Sequence, residues 1–142
     1  MSERRNGFRE IDHTADLGIE VEAANLPQLF AAAGEAFYSL IADPTGIELR
    51  EEISVGVKGE DWDELMHAWL CELLAQFNLN GFVGKLCKVT TIEGGRVEAK
   101  ITGETLDLKR HRFHTEIKGV TYHHFKVWQE DDRWRARVIF DV

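Results

Sequence analysis

The chain of 142 residues has the length of one domain and an ordinary globular composition, with 44% hydrophobic and 10% aromatic residues. Its 17 lysines and arginines against 25 aspartates and glutamates give a formal net charge of −8 at pH 7. This charge repels a phosphate backbone, so tight binding of nucleic acid by the protein alone is not expected. The sequence has no signal peptide and no run of membrane-spanning length, so we expect a cytoplasmic protein without membrane contact.

Two segments have the apolar periodicity of helices, one from Leu26 to Ile41 and one from Asp61 to Phe77. Each has a pair with capping-box spacing at its start and a terminating pair after its last apolar residue. These pairs are Asn25 with Gln28 and Asp43 with Pro44 for the first helix, and Asp61 with Glu64 and Asn80 with Gly81 for the second.

The other segments alternate with the period of two that is typical of strands. Strands are predicted at 8–11, 18–21, 53–57, 83–92, 96–104, 120–129 and 133–142, with hairpin turns at Gly94-Gly95 and Asp131-Asp132. In the last strand one face is apolar, and the other, which carries Arg133, Arg135, Arg137, Ile139 and Asp141, is expected to be largely solvated. We therefore predict a single α+β domain, residues 1–142, with two helices packed on an antiparallel or mixed β-sheet.

Several common sites are excluded by their missing motifs. There is no glycine-rich nucleotide cradle and no Gly-x-Ser-x-Gly nucleophile elbow. Cys71 and Cys87 form no Cys-x-x-Cys pair, and both are interpreted as core residues. The basic run from Lys109 to Arg112 is interpreted as a solvated loop. Structural or surface roles are predicted for the histidines at 67, 111, 114, 123 and 124, with His123 and His124 adjacent on a strand.

Acidic groups near the two ends of the chain are the candidates for chemistry. Asp12 and Asp16 flank a predicted turn, where their carboxylates either cap local amides or serve a site. Asp141 and the terminal carboxylate of Val142 stand at the other end. If the two ends meet, these carboxylates form an anionic pocket that recruits a cation. Oxygen ligands of this kind suit calcium, magnesium or manganese.

Three segments together resemble the archease family, and the resemblance covers essentially the whole chain. They are Asp12-His13-Thr14-Ala15-Asp16-Leu17-Gly18, Glu116-Ile117-Lys118-Gly119-Val120-Thr121-Tyr122-His123 and Phe140-Asp141-Val142. Gly119 stands where alanine is more usual in that family. The resemblance implies a protein cofactor rather than an enzyme. Archeases assist the RtcB-type RNA ligase of tRNA splicing and RNA repair, promoting its guanylylation and its multiple turnover.

The same resemblance implies a set of site residues. A metal site is expected at Asp16, Asp141 and the terminal carboxylate of Val142, with Asp12 as a neighbour. Calcium is the expected ion, with magnesium and manganese as alternatives. Lys118 and His13 are assigned to the side that faces the ligase.

Two other functions remain open at this point. One is a metal-dependent hydrolase that acts alone, with Asp12, Asp16 and Asp141 holding the ion and His13 as general base. The other is a metal-free, chaperone-like binding module. Turnover by the purified protein would indicate the first, and a melting temperature unaffected by divalent cations would indicate the second.

Overall fold

The computed structural model describes residues 7–12 and 16–142, and it describes Ile11 and Asp12 by their backbone alone. The described residues form two α-helices, a short 3-10 turn at Pro44–Gly46 and eight β-strands. In chain order the elements are β1 (Gly7–Asp12), β2 (Asp16–Ala23), α1 (Leu26–Ile41), β3 (Glu51–Lys58), α2 (Trp62–Asn80), β4 (Phe82–Glu93), β5 (Arg96–Thr105), β6 (Gly119–Val120), β7 (Lys126–Glu130) and β8 (Arg133–Asp141).

The strands form two antiparallel sheets. The larger has the order β1-β2-β8-β6, with β7 pairing the other part of β8, and the smaller has the order β3-β5-β4. Both helices contact strands of both sheets, so the helices lie between the sheets. The α+β class with two helices is confirmed, and the predicted sheet is divided in two.

The helix ends follow the local signals in the sequence. The Asn25 side chain accepts from the Gln28 N–H at 2.9 Å, and the Asp61 side chain accepts from the Glu64 N–H at 2.8 Å. Gly81 ends α2 in the left-handed conformation, with φ of 71°. These caps satisfy amides and carbonyls that have no partner inside the helix.

The core lies where the helical layer meets the two sheets. Buried residues occur around most of the circumference of α1, as expected for a helix covered on both sides. At the crossing of the two helices, the fully buried Trp69 donates its indole N–H to the Phe30 carbonyl at 2.8 Å. Cys87 is buried as predicted, whereas Cys71 is only half-buried. The core prediction for Cys71 was therefore too strong, because its helix position lies at the edge of the buried face.

The two predicted hairpin turns are confirmed. Gly94 and Gly95 have φ of 59° and 72°, and Asp131 and Asp132 have φ of 55° and 62°. Positive φ at both central residues gives a twist that matches that of the flanking strands.

The predicted strand 120–129 is wrong in its middle. Val120 pairs with Phe140 and Lys126 pairs with Arg137, so the five residues 121–125 stand opposite only two residues of β8. The extra residues form a turn that protrudes from the sheet edge. His123 and His124 lie in this turn rather than on a strand, because His124 has φ of 55° and breaks the extended conformation.

The basic run from Lys109 to Arg112 is only partly solvated, and two of its residues are held by contacts with a buried glutamate. His111 is buried, and its Nε2 lies 3.0 Å from the buried Glu104 carboxylate. Arg110 donates to the other oxygen of Glu104 at 2.5 Å. The hydrogen bond from Arg110 is the largest of the effects that lower the pKa of Glu104 to about 2. Two residues of the run therefore tie a loop to the smaller sheet.

Candidate functional site

Asp16 and Asp141 are direct neighbours across two strands. Asp16 is the first residue of β2 and Asp141 is the last of β8, and the antiparallel register places them opposite each other. The Cβ atoms of directly opposite residues lie about 4.5–5.5 Å apart on the same face of a sheet. The structure therefore brings together the early and the late acidic residue that the sequence singled out.

A third strand end completes this corner. Gly119 of β6 pairs with Asp141 on the side away from Asp16, and the Lys118 N–H donates to the Asp141 carbonyl at 2.7 Å. The Lys118 side chain is exposed, and an added Cβ at Gly119 would meet nothing within 4 Å. We call this corner, made by Asp16, Asp141, Lys118 and Gly119, the acidic tip.

The other predicted site residues lie around the tip. Val142 follows Asp141 and is 38% exposed. Asp12 ends β1, with its backbone paired to Leu17 of β2. The side chain of Asp12 and the whole of His13 lie outside the described residues, so their roles stay predictions.

The tip concentrates negative charge. Like charges directly opposite each other on neighbouring strands destabilise the pair unless a cation compensates them. Within residues 7–12 and 16–142, no ion pair involves the Asp16 or Asp141 side chain. Asp141 is exposed and Asp16 is half-buried, so both are accessible to an external cation or to a basic partner.

The donor set suits a hard cation, but it is small. All the candidate ligands are oxygens, which calcium, magnesium and manganese prefer. In the described part of the chain, no three His, Cys, Asp or Glu residues are grouped so that they could hold a metal ion. Two aspartates alone provide fewer oxygens than the roughly six to eight ligands that calcium takes.

The sheet face that carries the tip is not uniformly solvated. Along it, Glu20 pairs with Arg9 at 3.0 Å and with Arg137 at 3.3 Å. Ile139, which stands between Arg137 and Asp141 on this face, is fully buried. The solvated assignment was therefore wrong for Ile139, whose cross-strand partner Gly18 is buried as well, so this part of the face is covered.

Sequence reasoning missed a contact between α2 and the strand beside the tip. His67 on α2 lies with its Nε2 2.8 Å from the Val120 carbonyl, and its ring stacks on Tyr122. No local sequence pattern predicts this contact, because it joins residues 53 positions apart.

No helix in the described ranges is long and apolar enough to cross a membrane.

Comparison with known proteins gives one consistent result. The sequence model of the Archease protein family matches residues 8–142. Protein archease of Methanopyrus kandleri is 38% identical over 95% of this chain and 99% of its own length, and that of Archaeoglobus fulgidus is 37% identical over 95% and 98%.

Two solved structures share the fold. The solution structure of Methanobacterium thermoautotrophicum protein 1598 has a TM-score of 0.81 and 28% identity, with 96% of this chain and 99% of that chain covered. The crystal structure of a Thermotoga maritima archease, described as a possible chaperone, has a TM-score of 0.66 at 21% identity over the full length of both chains. The second likeness concerns the fold alone.

Proposed function

Because the chain belongs to the archease family and its acidic strand ends meet at one tip, we propose that it is a protein cofactor of an RtcB-type RNA ligase. In this proposal it acts in the cytoplasm in tRNA splicing and RNA repair. It promotes guanylylation of the ligase and so supports multiple turnover, and it joins no RNA itself. The observation that carries the proposal is the pairing of Asp16 with Asp141 beside the Lys118 main chain.

Asp16, Asp141 and the main-chain carboxylate of Val142 would hold a divalent cation at the tip, with Asp12 as a neighbour. Calcium is the first candidate, and magnesium and manganese are the alternatives. The oxygen-only donor set supports this choice of ions. When bound, such an ion supplies positive charge that offsets the carboxylates and polarises phosphate oxygens.

The residues of the chain have separable tasks in this proposal. The aspartates present oxygen ligands at an exposed strand end, where a ligase active site has access to them. The exposed Lys118 ammonium pairs with a phosphate or a carboxylate on the ligase side, and His13 is assigned to the same side. The net charge of −8 speeds the encounter with a basic ligase surface.

A multiple-turnover RNA ligation assay with the ligase of the same organism tests the proposal. Asp16→Asn and Asp141→Asn should each reduce the stimulation by about tenfold or more, since removing a ligand or its support weakens metal sites by that order. Glu52→Gln is the matched control, because Glu52 is an exposed carboxylate on the smaller sheet. Full stimulation by both aspartate variants would refute the role of the tip.

Melting curves separate the metal from the partner. Calcium or manganese should raise the melting temperature of the wild type but not that of Asp141→Asn, because a ligand stabilises only the state that binds it. A C-terminal extension turns the Val142 carboxylate into an amide and should weaken this effect. Lys118→Ala should keep the metal-induced shift and lose stimulation.

Assays on the same purified proteins distinguish the two other candidate functions. Hydrolysis of RNA, phosphate esters or nucleotides by the protein with magnesium or manganese would favour the stand-alone hydrolase. Stimulation of the ligase with no metal-induced shift in melting temperature would favour a binding module without a metal.

A further inference from the structure

The edge of the larger sheet changes its geometry just beside the acidic tip. Strand β6 is only two residues long, and the five-residue turn 121–125 separates it from β7. The Thr121 N–H donates to the Ile139 carbonyl at 3.0 Å, which is the last backbone bond before the turn protrudes. Extra residues inserted along one strand often re-aim side chains next to functional sites. A strand of two residues makes few backbone hydrogen bonds with β8, so side-chain contacts from other elements contribute to fixing its position.

His67 on α2 provides a hydrogen bond to this strand. Its Nε2 lies 2.8 Å from the Val120 carbonyl, which only accepts, so the ring donates from Nε2. The other ring nitrogen, Nδ1, lies 3.5 Å from the Cys71 thiol one helical turn away. Because a thiol is only a weak donor and acceptor, the hydrogen bond to Val120 is the stronger of the two contacts.

The same ring also supports the protruding turn. Tyr122 stacks on His67 with ring centroids 3.8 Å apart and planes inclined by 11°. Phe125 approaches the His67 ring edge-on at 5.4 Å. Tyr122 is 67% exposed, so its ring is held by this stack rather than by the core. One side chain of α2 thus contacts both the strand before the turn and the turn itself.

We propose that His67 is a positioning residue that clamps β6 and the turn 121–125 against the end of β8 and thereby fixes the main chain beside Asp141. The link is short: Val120 accepts from His67, Gly119 pairs with Asp141, and the Lys118 N–H donates to Asp141. Release of Val120 loosens β6 and the residue that precedes it, Lys118. The functional half of this inference rests on the proposed function, whereas the clamp itself does not.

Amide hydrogen exchange measures the clamp without any ligase. His67→Phe retains an aromatic ring beside Tyr122 but removes the donor, and His67→Gln retains a donor amide but removes the ring. Cys71→Ala is the matched control, because it empties the Nδ1 side and leaves the bond to Val120. We expect His67→Phe to speed exchange at the Lys118 and Thr121 amides about tenfold, in line with the loss of one partly buried hydrogen bond. Amides of β5 should be unchanged, as should all amides in Cys71→Ala.

Ligase stimulation provides the second readout. His67→Phe should reduce stimulation of the ligase, whereas His67→Gln should retain most of the wild-type stimulation. Both variants should melt at temperatures close to that of the wild type. If both variants lose stimulation with faster exchange confined to residues 118–125, the donor and the stack act together and the clamp stands. Unchanged exchange in His67→Phe would overturn the proposal, and so would faster exchange spread evenly over the whole protein. If the wild type fails to stimulate any ligase, the proposed function fails, while the exchange result still decides the clamp.

Discussion

Replacement of Glu104 by glutamine tests the buried ion network of the smaller sheet. The Glu104 side chain is 4% exposed and accepts hydrogen bonds from Arg110 at 2.5 Å, from the Glu48 N–H at 2.6 Å and from His111 at 3.0 Å. The Asp107 N–H donates to Nδ1 of His111 at 2.8 Å, so Nε2 is the nitrogen that donates to Glu104. A glutamine keeps the shape but turns an amide N–H₂ group toward these donors.

We expect Glu104→Gln to lower the free energy of unfolding by about 3 kcal/mol near neutral pH, the lower end for breaking a buried ion pair. The lower end applies because Arg110 is 40% exposed and regains water. For a chain of this size, such a loss lowers the melting temperature by about 10 °C. Urea unfolding followed by tryptophan fluorescence measures the difference. Glu52→Gln, an exposed carboxylate 3.7 Å from Lys100, is the control and should change stability by less than about 0.5 kcal/mol.

The pH dependence shows whether the charge of Glu104 is the cause. The hydrogen bond from Arg110 contributes most to lowering the pKa of Glu104, from 4.5 to about 2. A carboxylate with a lowered pKa stabilises the fold fully above its unfolded value, and this contribution is lost as the pH falls from 4.5 toward 2. The wild type should therefore lose most of its advantage over Glu104→Gln between about pH 5 and about pH 2. An equal difference in unfolding free energy at both pH values would refute the electrostatic explanation.

Three further predictions concern packing and reactivity. Tyr38→Phe should raise the unfolding free energy by about 1 kcal/mol in urea titrations, because the buried Tyr38 hydroxyl has no hydrogen-bond partner among the described residues. Gly119→Ala should raise the unfolding free energy by about 0.5–1 kcal/mol, since its Cβ enters open space. Gly103→Ala should lower it by about 3 kcal/mol, because its Cβ would overlap the Val83 carbonyl. Equal effects of the two substitutions would contradict the close approach of the strands at Gly103. Maleimide labelling of the native protein, followed by intact mass, should modify Cys71 before Cys87. Burial raises the pKa of both thiols, but Cys87 is the more enclosed of the two. A first reaction at Cys87 would show that the core opens there.

Many of the helix ends and turns depend on interactions between residues close together in the chain, so the sequence alone predicts them. Asn25 and Asp61 each cap an amide three residues later, and Gly81 ends α2 at the position where a left-handed residue is needed. The hairpin at Gly94-Gly95 follows the same logic, because two residues with positive φ fix the register of the strands on either side. Such signals operate within a few residues, so no knowledge of distant partners is required.

Contacts between distant segments decided the rest. The opposition of Asp16 and Asp141 depends on which strands pair, and residues 125 positions apart leave no joint pattern in one sequence. The turn at 121–125 was hidden for a similar reason, since its residue types suit a strand and only the pairing of Val120 and Lys126 with β8 shows where the strand is interrupted. Ile139 and its cross-strand partner Gly18 are both buried, which the alternation along β8 alone does not predict. Local free-energy preferences therefore set the elements, while the pairing of strands and the packing between layers set the corner where the acidic groups meet.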